Sequence, residues 1–405
     1  MDNEFVVLDL FSGAGGLSEG FLRCGFKFAA HLEMDKDASS TLETRISYHS
    51  LNLNKMDDSY LAYLSGDISK TDLLNQSHYF DAQISAGIIN KEISSSNKDS
   101  ITEEISKKLR TFYVSNVDVL IGGPPCQAYS SVGRSRDPNR MEHDTRNYLY
   151  KYYLNMLKYF NPDVFVFENV LGIQTAKNGL IYKHILKEFR DSGYNLQEFI
   201  LNSEDFFILQ KRKRVIVIGW KSDYEVKSPE FNRIHHDYSV SSVLVDLPPL
   251  NPGQGNENPQ DYLADPTEYL IKSKMRNSKD ILIQHRARNH NERDREIYRL
   301  AIDAWNKNKH RLKYNELPEL LKTHKNRISF KDRFKVVAPD LKYSHSVMAH
   351  ICKDGHYYIH PDPKQARSLT VREAARIQSF PDNYKFEGSR KAQFRQIGNA
   401  VPPMM

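Results

Sequence analysis

The chain has 405 residues, 40% of them hydrophobic and 27% charged, so it is long enough to bury a substantial core and to form two domains. Its formal net charge of +6 is weakly basic, and no run approaches the roughly 18 apolar residues that cross a bilayer, which excludes a membrane-spanning protein. The three cysteines are too few and too scattered for a disulfide framework or a zinc cluster, so we expect a soluble, cytoplasmic protein without a bound metal.

The first half of the chain alternates short apolar runs with helix-like segments. We predict strands over residues 5–10, 28–33, 117–121, 164–168 and 215–219. We predict helices over residues 16–24 and 148–160, and a further helix that follows the second strand and ends at residue 44. This alternation indicates a mostly parallel sheet that is covered on both faces. Residues 90–108 are polar and rich in serine, which predicts a surface excursion and not a core element.

The pattern changes after Trp220, where prolines and glycines cluster and the periodicity is lost. We expect a domain boundary near residue 228 and a smaller, less regular domain that extends to about residue 384. Residues 272–335 of that domain are rich in lysine and arginine, interleaved with histidine, asparagine and tyrosine. Such a mixture suits phosphate contacts and hydrogen bonds to base edges, and a solvated charged surface is the alternative.

A glycine-rich segment, residues 9–16, follows the first predicted strand. Its Gly-x-Gly-Gly spacing departs from the Gly-x-Gly-x-x-Gly dinucleotide pattern, but ligands of open α/β sheets bind at this end of the strands. Glu33, at the end of the second strand, is placed to accept hydrogen bonds from ribose hydroxyls. Gly66 and Asp67 are predicted to end a third strand and to bind an adenine amino group. Together these features favour a nucleoside-bearing cofactor.

The segment Gly122–Gln127 has the sequence Gly-Gly-Pro-Pro-Cys-Gln and follows an apolar run. Pro124 and Pro125 fix φ and stiffen the backbone just before the sulfur of Cys126. A thiol on a rigid turn at the end of a strand is a candidate nucleophile. The alternative is that Cys126 is a small buried hydrophobic residue, as lone cysteines commonly are.

Two further segments place charged groups at strand ends. Glu168 terminates an otherwise apolar strand and is a candidate proton donor, with the capping of the next turn as the alternative. Arg212 and Arg214 precede the strand over 215–219 and, two residues apart, would point to one side of it. Both could then bind an anion or a carbonyl oxygen at one site, although charge runs are commonly solvated surface.

These segments together resemble the DNA cytosine-5 methyltransferases, from Val6 to Pro403. Six motifs of that family occur in order: a cofactor loop (9–16), a nucleophile segment (122–127), an acid segment (168–170), a Gln-x-Arg-x-Arg segment (210–214), a segment that organises the recognition domain (367–382) and a last motif (396–403). Six ordered motifs at sensible spacing are a very specific match.

The resemblance implies a fold and a domain organisation. The fold is α/β, with a doubly wound, mostly parallel sheet of the Rossmann-like, S-adenosylmethionine-dependent methyltransferase class and a second, smaller, irregular target-recognition domain. The catalytic and cofactor-binding domain would cover 1–227 and the target-recognition domain 228–384. Residues 385–405 would return to the catalytic domain and complete the cofactor pocket.

The resemblance also implies methyl transfer from S-adenosylmethionine to carbon 5 of a specific cytosine, flipped out of duplex DNA, through a covalent adduct on Cys126. The family's catalytic positions fall on Pro125, Cys126, Glu168, Arg212 and Arg214. Its cofactor contacts fall on Phe11, Gly13, Gly15, Gly16, Leu17, Glu33, Met34, Asp67, Ile68, Pro124, Leu149, Asn399 and Val401. Its DNA contacts fall on Gln127, Ser130, Arg134, Arg367 and Arg372.

Some features leave alternatives open. The distance from Asp67 to Cys126 is wide for the family and predicts an insertion around residues 71–112. A tRNA cytosine methyltransferase is disfavoured because Lys353 follows Cys352, where such relatives have a Cys-Phe-Thr signature. A catalytically silent DNA-binding homologue and a nicotinamide-dependent oxidoreductase fit the motifs less well. We expect duplex DNA as partner, a monomer, and a cognate restriction endonuclease in a restriction-modification system or, alternatively, a role in phage or host DNA protection.

Overall fold

The computed structural model describes residues 5–80, 87–111, 116–125, 148–324, 327 and 330–405. Four predicted site residues, Cys126, Gln127, Ser130 and Arg134, lie outside these ranges. The contacts divide the chain into unit 1 (Met1–Lys55, Leu74–Asp205 and Arg212–Arg233) and unit 2 (Met56–Leu73, Phe206–Lys211 and Ile234–Met405). The functional domains expected over 1–227, 228–384 and 385–405 remain a prediction.

The strands of the first 221 residues supply the main sheet. They are β1 (Val6–Leu10), β2 (Lys27–Glu33), β3 (Ile88–Asn90), β4 (Val119–Gly122), β5 (Val164–Asn169), β6 (Tyr194–Asn202), β7 (Gln210–Lys211, in unit 2) and β8 (Lys213–Lys221). Within the described part of unit 1, seven of them form one sheet in the order β3-β2-β1-β4-β5-β8-β6. The first five run parallel, and β8 is antiparallel to both β5 and β6. This confirms the predicted mostly parallel α/β fold.

Helices fill most of the connections. They are α1 (Gly16–Arg23), α2 (Lys36–Leu53), α3 (Asp57–Ser65), α4 (Lys70–Phe80), α5 (Lys98–Thr111), α6 (Leu149–Phe160), α7 (Leu180–Asp191), α8 (Glu268–Lys272), α9 (Glu292–Asn308), α10 (Val371–Ile377) and α11 (Arg390–Asn399). Shorter 3₁₀ segments cover Leu171–Gly179, Ser203–Phe206, Val240–Val243, Tyr314–Glu316, Glu319–Leu321 and Ala349–Cys352. Among the helices of the described ranges, none is long and apolar enough to cross a membrane.

The strand order reverses between β1 and β4. From β1 the chain proceeds to β2 and β3 on one side, whereas β4 and β5 follow on the other. The carboxyl ends of β1 and β4 therefore flank a switch point, which is where open α/β sheets bind their ligands. The glycine-rich loop and the Pro-Pro segment both begin there.

Both faces of the central strands are buried, which explains why these strands are apolar without alternation. Leu8, Leu120 and Phe167 belong to a large core on one face. Val7 and Ile121 belong to a second core with side chains of α1 packed against it. Neighbouring residues in a strand point to opposite faces, so each strand contributes to both cores.

The prediction of a surface excursion over residues 90–108 is wrong. Helix α5 begins at Lys98, and its Ile101, Ile105 and Leu109 are buried in the large core. These three residues recur every four positions, which places them on one face of a helix. The surrounding serines and lysines lie on the outer face of the helix. Because these polar residues outnumber the apolar ones, the composition of the segment does not show the apolar face.

Unit 2 has a small apolar core and extensive buried polar contacts. Residues of α9, including Tyr298 and Ile302, pack with Phe334 and Ile359. In the described part of this unit, two pairs of very short strands add local order: β9 (Gly255–Asn256) pairs antiparallel with β10 (His285–Arg286), and β11 (Ser344–His345) pairs parallel with β7. The guanidinium of Arg376, at the end of α10, is fully buried and ion-paired with both Asp246 and Asp382 at 2.6 Å.

Candidate active site

The loop after β1 is held in an unusual backbone conformation. Phe11, Gly13 and Gly15 all have positive φ, at 61°, 56° and 82°. The amide of Ser12 donates to the carbonyl of Leu32 in β2 at 3.1 Å, which ties the loop to the neighbouring strand. A non-glycine residue such as Phe11 adopts positive φ only where its surroundings impose it, and such residues cluster at ligand sites.

Buried polar contacts between β1, α1 and β2 support this loop. Asp9, at 1% exposure, accepts a hydrogen bond from the hydroxyl of Ser18 in α1. The Nδ1 atom of His31 in β2 lies 3.7 Å from Asp9 Oδ2 and 3.4 Å from Ser18 Oγ. These contacts join β1, α1 and β2 on both sides of the loop, and sequence analysis did not identify them as part of the site.

Glu33 faces the loop, as predicted from its place at the end of β2. Its carboxylate accepts hydrogen bonds from the amide of Gly13 at 2.8 Å and from that of Asp35 at 2.7 Å. Burial raises the pKa of Glu33, against the effect of these backbone donors. Each carboxylate oxygen can accept a second hydrogen bond, so ribose hydroxyls remain possible partners.

The surroundings of Glu33 leave space for a ligand. A Cβ added at Gly13 would meet no described atom within 4 Å, and Met34 is 57% exposed. Phe11 and Leu17 are half-buried against the two cores, whereas Gly15 and Gly16 are buried where α1 begins. These predicted cofactor residues therefore lie together around the end of β1 and fit a nucleoside-bearing cofactor.

Asp67 and Ile68 are not placed as predicted, because no strand ends at Gly66. Gly66 caps α3 with φ of 84°, and the segment belongs to unit 2. The third strand is β3, and the residue at its carboxyl end is Asn90, whose side chain donates to the carbonyl of Glu33 at 3.0 Å. A three-residue strand is too short to produce a periodic signal, which explains the wrong assignment.

The nucleophile segment, residues 122–127, begins with two glycines that each lie close to a neighbouring strand. A Cβ on Gly122 would collide with the carbonyl oxygen of Leu10 in β1, and a Cβ on Gly123 would collide with the carboxylate of Glu168. The side chain of Asn169, 4% exposed, donates to the carbonyl of Pro124 at 3.2 Å. The backbone is therefore fixed against β1 and β5 up to half-buried Pro125, after which Cys126 follows.

The acid segment supplies an ion pair at the same place. Glu168 lies opposite Ile216 in the β5–β8 register, so Arg214 is its diagonal neighbour on the same face. Arg214 Nε lies 2.7 Å from Glu168 Oε1, and the two side chains are only 12% and 13% exposed. The pairing orients the carboxylate beside Gly123.

Arg212 is not placed to contact a substrate, contrary to the prediction that it shares the site with Arg214. Its side chain is 1% exposed. Its backbone carbonyl and amide are hydrogen-bonded to Ser203, both at 2.9 Å. Burial of the whole residue between β7 and β8 thus prevents the direct phosphate contact that was expected.

Three predicted cofactor residues lie elsewhere in the elements described. Leu149 is half-buried in the first turn of α6 in unit 1. In unit 2, Asn399 is exposed at the end of α11, and Val401 is half-buried. Gly398 permits close packing of α11, because a Cβ there would collide with the backbone of Ala349. Their contact with the cofactor remains a prediction.

The prediction that Arg367 and Arg372 contact DNA is wrong, because neither has exposed surface. Arg367 forms two hydrogen bonds with Glu373, at 2.7 and 2.8 Å. Arg372 donates to the carbonyls of Pro381 and Tyr384, each at 3.0 Å. All these partners are internal, so both arginines stabilise unit 2. A sequence motif alone does not distinguish an arginine that binds phosphate from one that binds carbonyls and carboxylates.

Comparison with known proteins agrees with this geometry. Residues 5–77 and 86–405 match the family described as C-5 cytosine-specific DNA methylase. The chain is 43% identical to the type II methyltransferase M.Bpa9945I of Bacillus paralicheniformis, over 99% of this chain and 96% of that one. It is 31% identical to M.DdeI of Desulfomicrobium norvegicum, over 98% and 86%.

Solved structures show the same fold. A prophage-encoded protein from E. coli, provisionally described as a DNA modification methyltransferase, superposes with a TM-score of 0.65 at 22% identity, over 99% of this chain and 96% of that one. The methyltransferase EhMeth of Entamoeba histolytica gives 0.54 at 16%, over 100% and 95%. Since the family match covers nearly the whole chain and the 43% identical relative spans 99% of it, the protein belongs to the C-5 cytosine-specific DNA methylases.

Proposed function

We propose that this DNA cytosine methyltransferase acts through a transient covalent bond between Cys126 and a cytosine that is flipped out of duplex DNA. The observation that supports this most directly is the contact of Gly123 with the Glu168 carboxylate, which is itself paired with Arg214. Pro124 and Pro125 follow Gly123 and directly precede Cys126 in the sequence. The acid, the cation and the described turn that precedes the proposed nucleophile in the sequence therefore come from three neighbouring segments at the carboxyl end of the sheet.

The proposed reaction needs a nucleophile because carbon 5 of cytosine is unreactive in the aromatic ring. The Cys126 thiolate forms a bond to carbon 6 while the Glu168 carboxyl group, in its protonated form, delivers a proton to nitrogen 3, which makes carbon 5 electron-rich. Glu168 is left as the carboxylate that pairs with Arg214. Arg214 holds the carboxylate in place and faces the carbonyl oxygen of the base. After carbon 5 takes the methyl group, a base removes its proton, and the carbon–sulfur bond breaks to regenerate the thiolate.

Base flipping follows from the chemistry of the target base. Carbon 6 is shielded by stacking within a duplex, so the thiol can reach it only after the nucleotide has left the stack, at a cost of a few kcal/mol. Gln127, Ser130 and Arg134, which follow Cys126, are proposed to contact the DNA during this step.

S-adenosylmethionine, when bound, supplies an electrophilic methyl group. We assign its binding to the loop after β1 and to Glu33, because the open space at Gly13 and the exposed Met34 lie beside a carboxylate that can accept ribose hydroxyls. Pro124 and Leu149 remain proposed contacts in unit 1, and Asn399 and Val401 in unit 2.

The decisive experiment is transfer of labelled methyl from S-adenosylmethionine to duplex DNA or tRNA by the wild type and Cys126→Ala. We expect transfer to DNA by the wild type alone. Unchanged transfer by Cys126→Ala would reject the nucleophile, and transfer to tRNA alone would favour the tRNA methyltransferase alternative. No transfer to either would favour a silent DNA-binding homologue.

The biological setting proposed is a restriction-modification system, since the relatives named above are type II methyltransferases. A cognate endonuclease, a monomeric state and a cytoplasmic location are further parts of this proposal. Size-exclusion chromatography with light scattering tests the monomer, and expression of the neighbouring genes tests the endonuclease.

A further inference from the structure

Unit 2 contains a cavity of about 520 Å³ that the proposed chemistry does not use. It is lined by the end of α3, by the residues that follow β9, by β10 with Gln284 before it, by the segment 385–389 and by the first turn of α11. It opens to solvent, since Asn258, Arg286 and Gly388 in its lining are exposed. Its volume is that of a typical small-molecule or nucleotide site.

The walls of this cavity are held together by hydrogen bonds. The amide of Gln284 donates to the carbonyl of Glu257 at 3.1 Å, which fixes the turn after β9. The Gln284 side chain donates to the carbonyl of Phe386 at 2.7 Å and accepts from its amide at 3.0 Å. The Gln393 side chain donates to the carbonyls of Phe386 and Gly388, at 3.2 and 3.1 Å. The cavity is therefore built by the protein's own contacts.

Two acceptor atoms in this lining are buried and unpaired. Glu257 Oε2 and Gln393 Oε1 have no hydrogen-bond partner among the residues that the structure describes, although the Gln393 side chain also interacts with the Glu257 carboxyl group, and Gln393 is 6% exposed. Burial raises the pKa of Glu257, against the attraction of Arg390 and Arg286. Buried acceptors are nearly always satisfied, so these two call for a ligand that donates hydrogen bonds.

Three cations line the same cavity: Arg286, Lys385 and Arg390. The Lys385 ammonium lies 3.8 Å from the centre of the Tyr63 ring, and burial lowers its pKa. A ligand that suits both sets of groups must combine hydrogen-bond donors with a negative charge. A nucleotide whose base carries an exocyclic amino group has this combination, and carboxylates are known acceptors for cytosine N4.

We propose that this cavity, in a protein that acts as proposed above, binds an amino-bearing base of the recognition sequence. Glu257 and Gln393 accept from the amino group, while Arg286 and Arg390 contact the adjacent phosphate. The antiparallel pair β9 and β10 at its rim suits this role, because a two-stranded ribbon fits the major groove. A zwitterionic amino-acid group presents similar chemistry, and the test separates the two.

The test compares the wild type with Glu257→Gln on a library of random duplex DNA, followed by bisulfite sequencing. An amide can donate where the carboxylate only accepts, so selectivity at one base pair of the recognition sequence should fall by about fivefold or more. The matched control is Glu292→Gln, which changes an exposed carboxylate of α9 in the same unit. The control should keep the wild-type recognition sequence and rate.

Unchanged selectivity of Glu257→Gln, at whatever rate, would overturn the proposal. A raised KM for S-adenosylmethionine with unchanged selectivity would assign the cavity to an amino-acid group instead. Arg286→Gln, at the exposed rim, provides a second test that does not depend on the folding of the first variant. It should weaken binding to all DNA sequences and reduce the slope of log affinity against log salt by about 1.

An unchanged salt slope for Arg286→Gln would also contradict the proposal. Failure of the proposed function is recognised separately, because it would appear as unchanged methyl transfer by Cys126→Ala or as no transfer by the wild type, whereas failure of this proposal would appear as unchanged selectivity of Glu257→Gln.

Discussion

Replacing Gly123 with alanine should slow methyl transfer strongly without unfolding the protein. The glycine does not have positive φ, so its backbone accepts alanine without strain. The added Cβ would collide with the Glu168 carboxylate, which is the end of a flexible side chain and can move. The collision therefore displaces the proposed acid and leaves the fold intact.

The expected magnitudes follow from this geometry. To regain van der Waals contact, the carboxylate must withdraw by about 1 Å, and a misplacement of that size at a reacting group costs about 10²-fold in rate. The free energy of unfolding should change by less than about 1 kcal/mol, because the weakened Glu168–Arg214 pair is offset by the lower entropy of the unfolded chain with alanine. Gly122→Ala is the contrasting variant, because its Cβ meets the immovable carbonyl of Leu10 and should destabilise the protein.

The assay is the single-turnover rate of methyl transfer, measured in a double-mutant cycle with Glu168→Ala. If Gly123→Ala acts only through Glu168, the double variant should be as slow as Glu168→Ala alone. A wild-type rate for Gly123→Ala would refute the reasoning. The reasoning would also be refuted if Gly123→Ala slowed the Glu168→Ala variant by as large a factor as it slows the wild type.

Three further predictions concern the support of the site and of unit 2. Asn169→Ala removes the donor to the carbonyl of Pro124 and should slow single-turnover transfer about tenfold, the equivalent of one buried hydrogen bond, with unchanged affinity for DNA. Arg367→Ala leaves Glu373 buried and unpaired and should lower the free energy of unfolding by about 3–5 kcal/mol in denaturant titrations, whereas a DNA contact would affect binding and not stability. Burial and the neighbouring Arg367 lower the pKa of His360 to about 3 from 6.5, so this histidine is neutral in the folded protein and takes up a proton only on unfolding. Stability should therefore fall as the pH drops below 6.5, by about 2 kcal/mol between pH 7 and 5 from this group, and His360→Gln should flatten that slope.

The parts of the fold that sequence predicted are those with a strong local signal. The strands β1, β2, β4, β5 and β8 each contain a run of at least three consecutive apolar residues, which is the sequence signal of a buried strand. Helix α5 was missed because only three of its fourteen residues are buried, and charged residues dominate its composition. β3 was missed because three residues cannot establish a period.

The sequence predicted the placement of those site residues that are charged and lie at the end of an apolar strand. Glu33 and Glu168 end strands, so their placement at the carboxyl edge follows from the fold. The burial of Arg212, Arg367 and Arg372 could not be predicted, because it depends on how the chain folds around each side chain. The sequence does not show that Glu373 folds back onto Arg367, or that the carbonyls of Pro381 and Tyr384 fold back onto Arg372. The support given by Asn169 to Pro124 likewise arises only when β4 and β5 pair.

The central claim is the covalent bond between Cys126 and the target cytosine. Duplex DNA that contains 5-fluorocytosine cannot lose a proton from carbon 5, so the proposed reaction should stop with the enzyme attached to the DNA. Mass spectrometry of the digested complex should locate the adduct on the peptide that contains Cys126, and Cys126→Ser should form none. Methylation of ordinary DNA without a trapped complex, or an adduct on Cys24 or Cys352, would contradict the account.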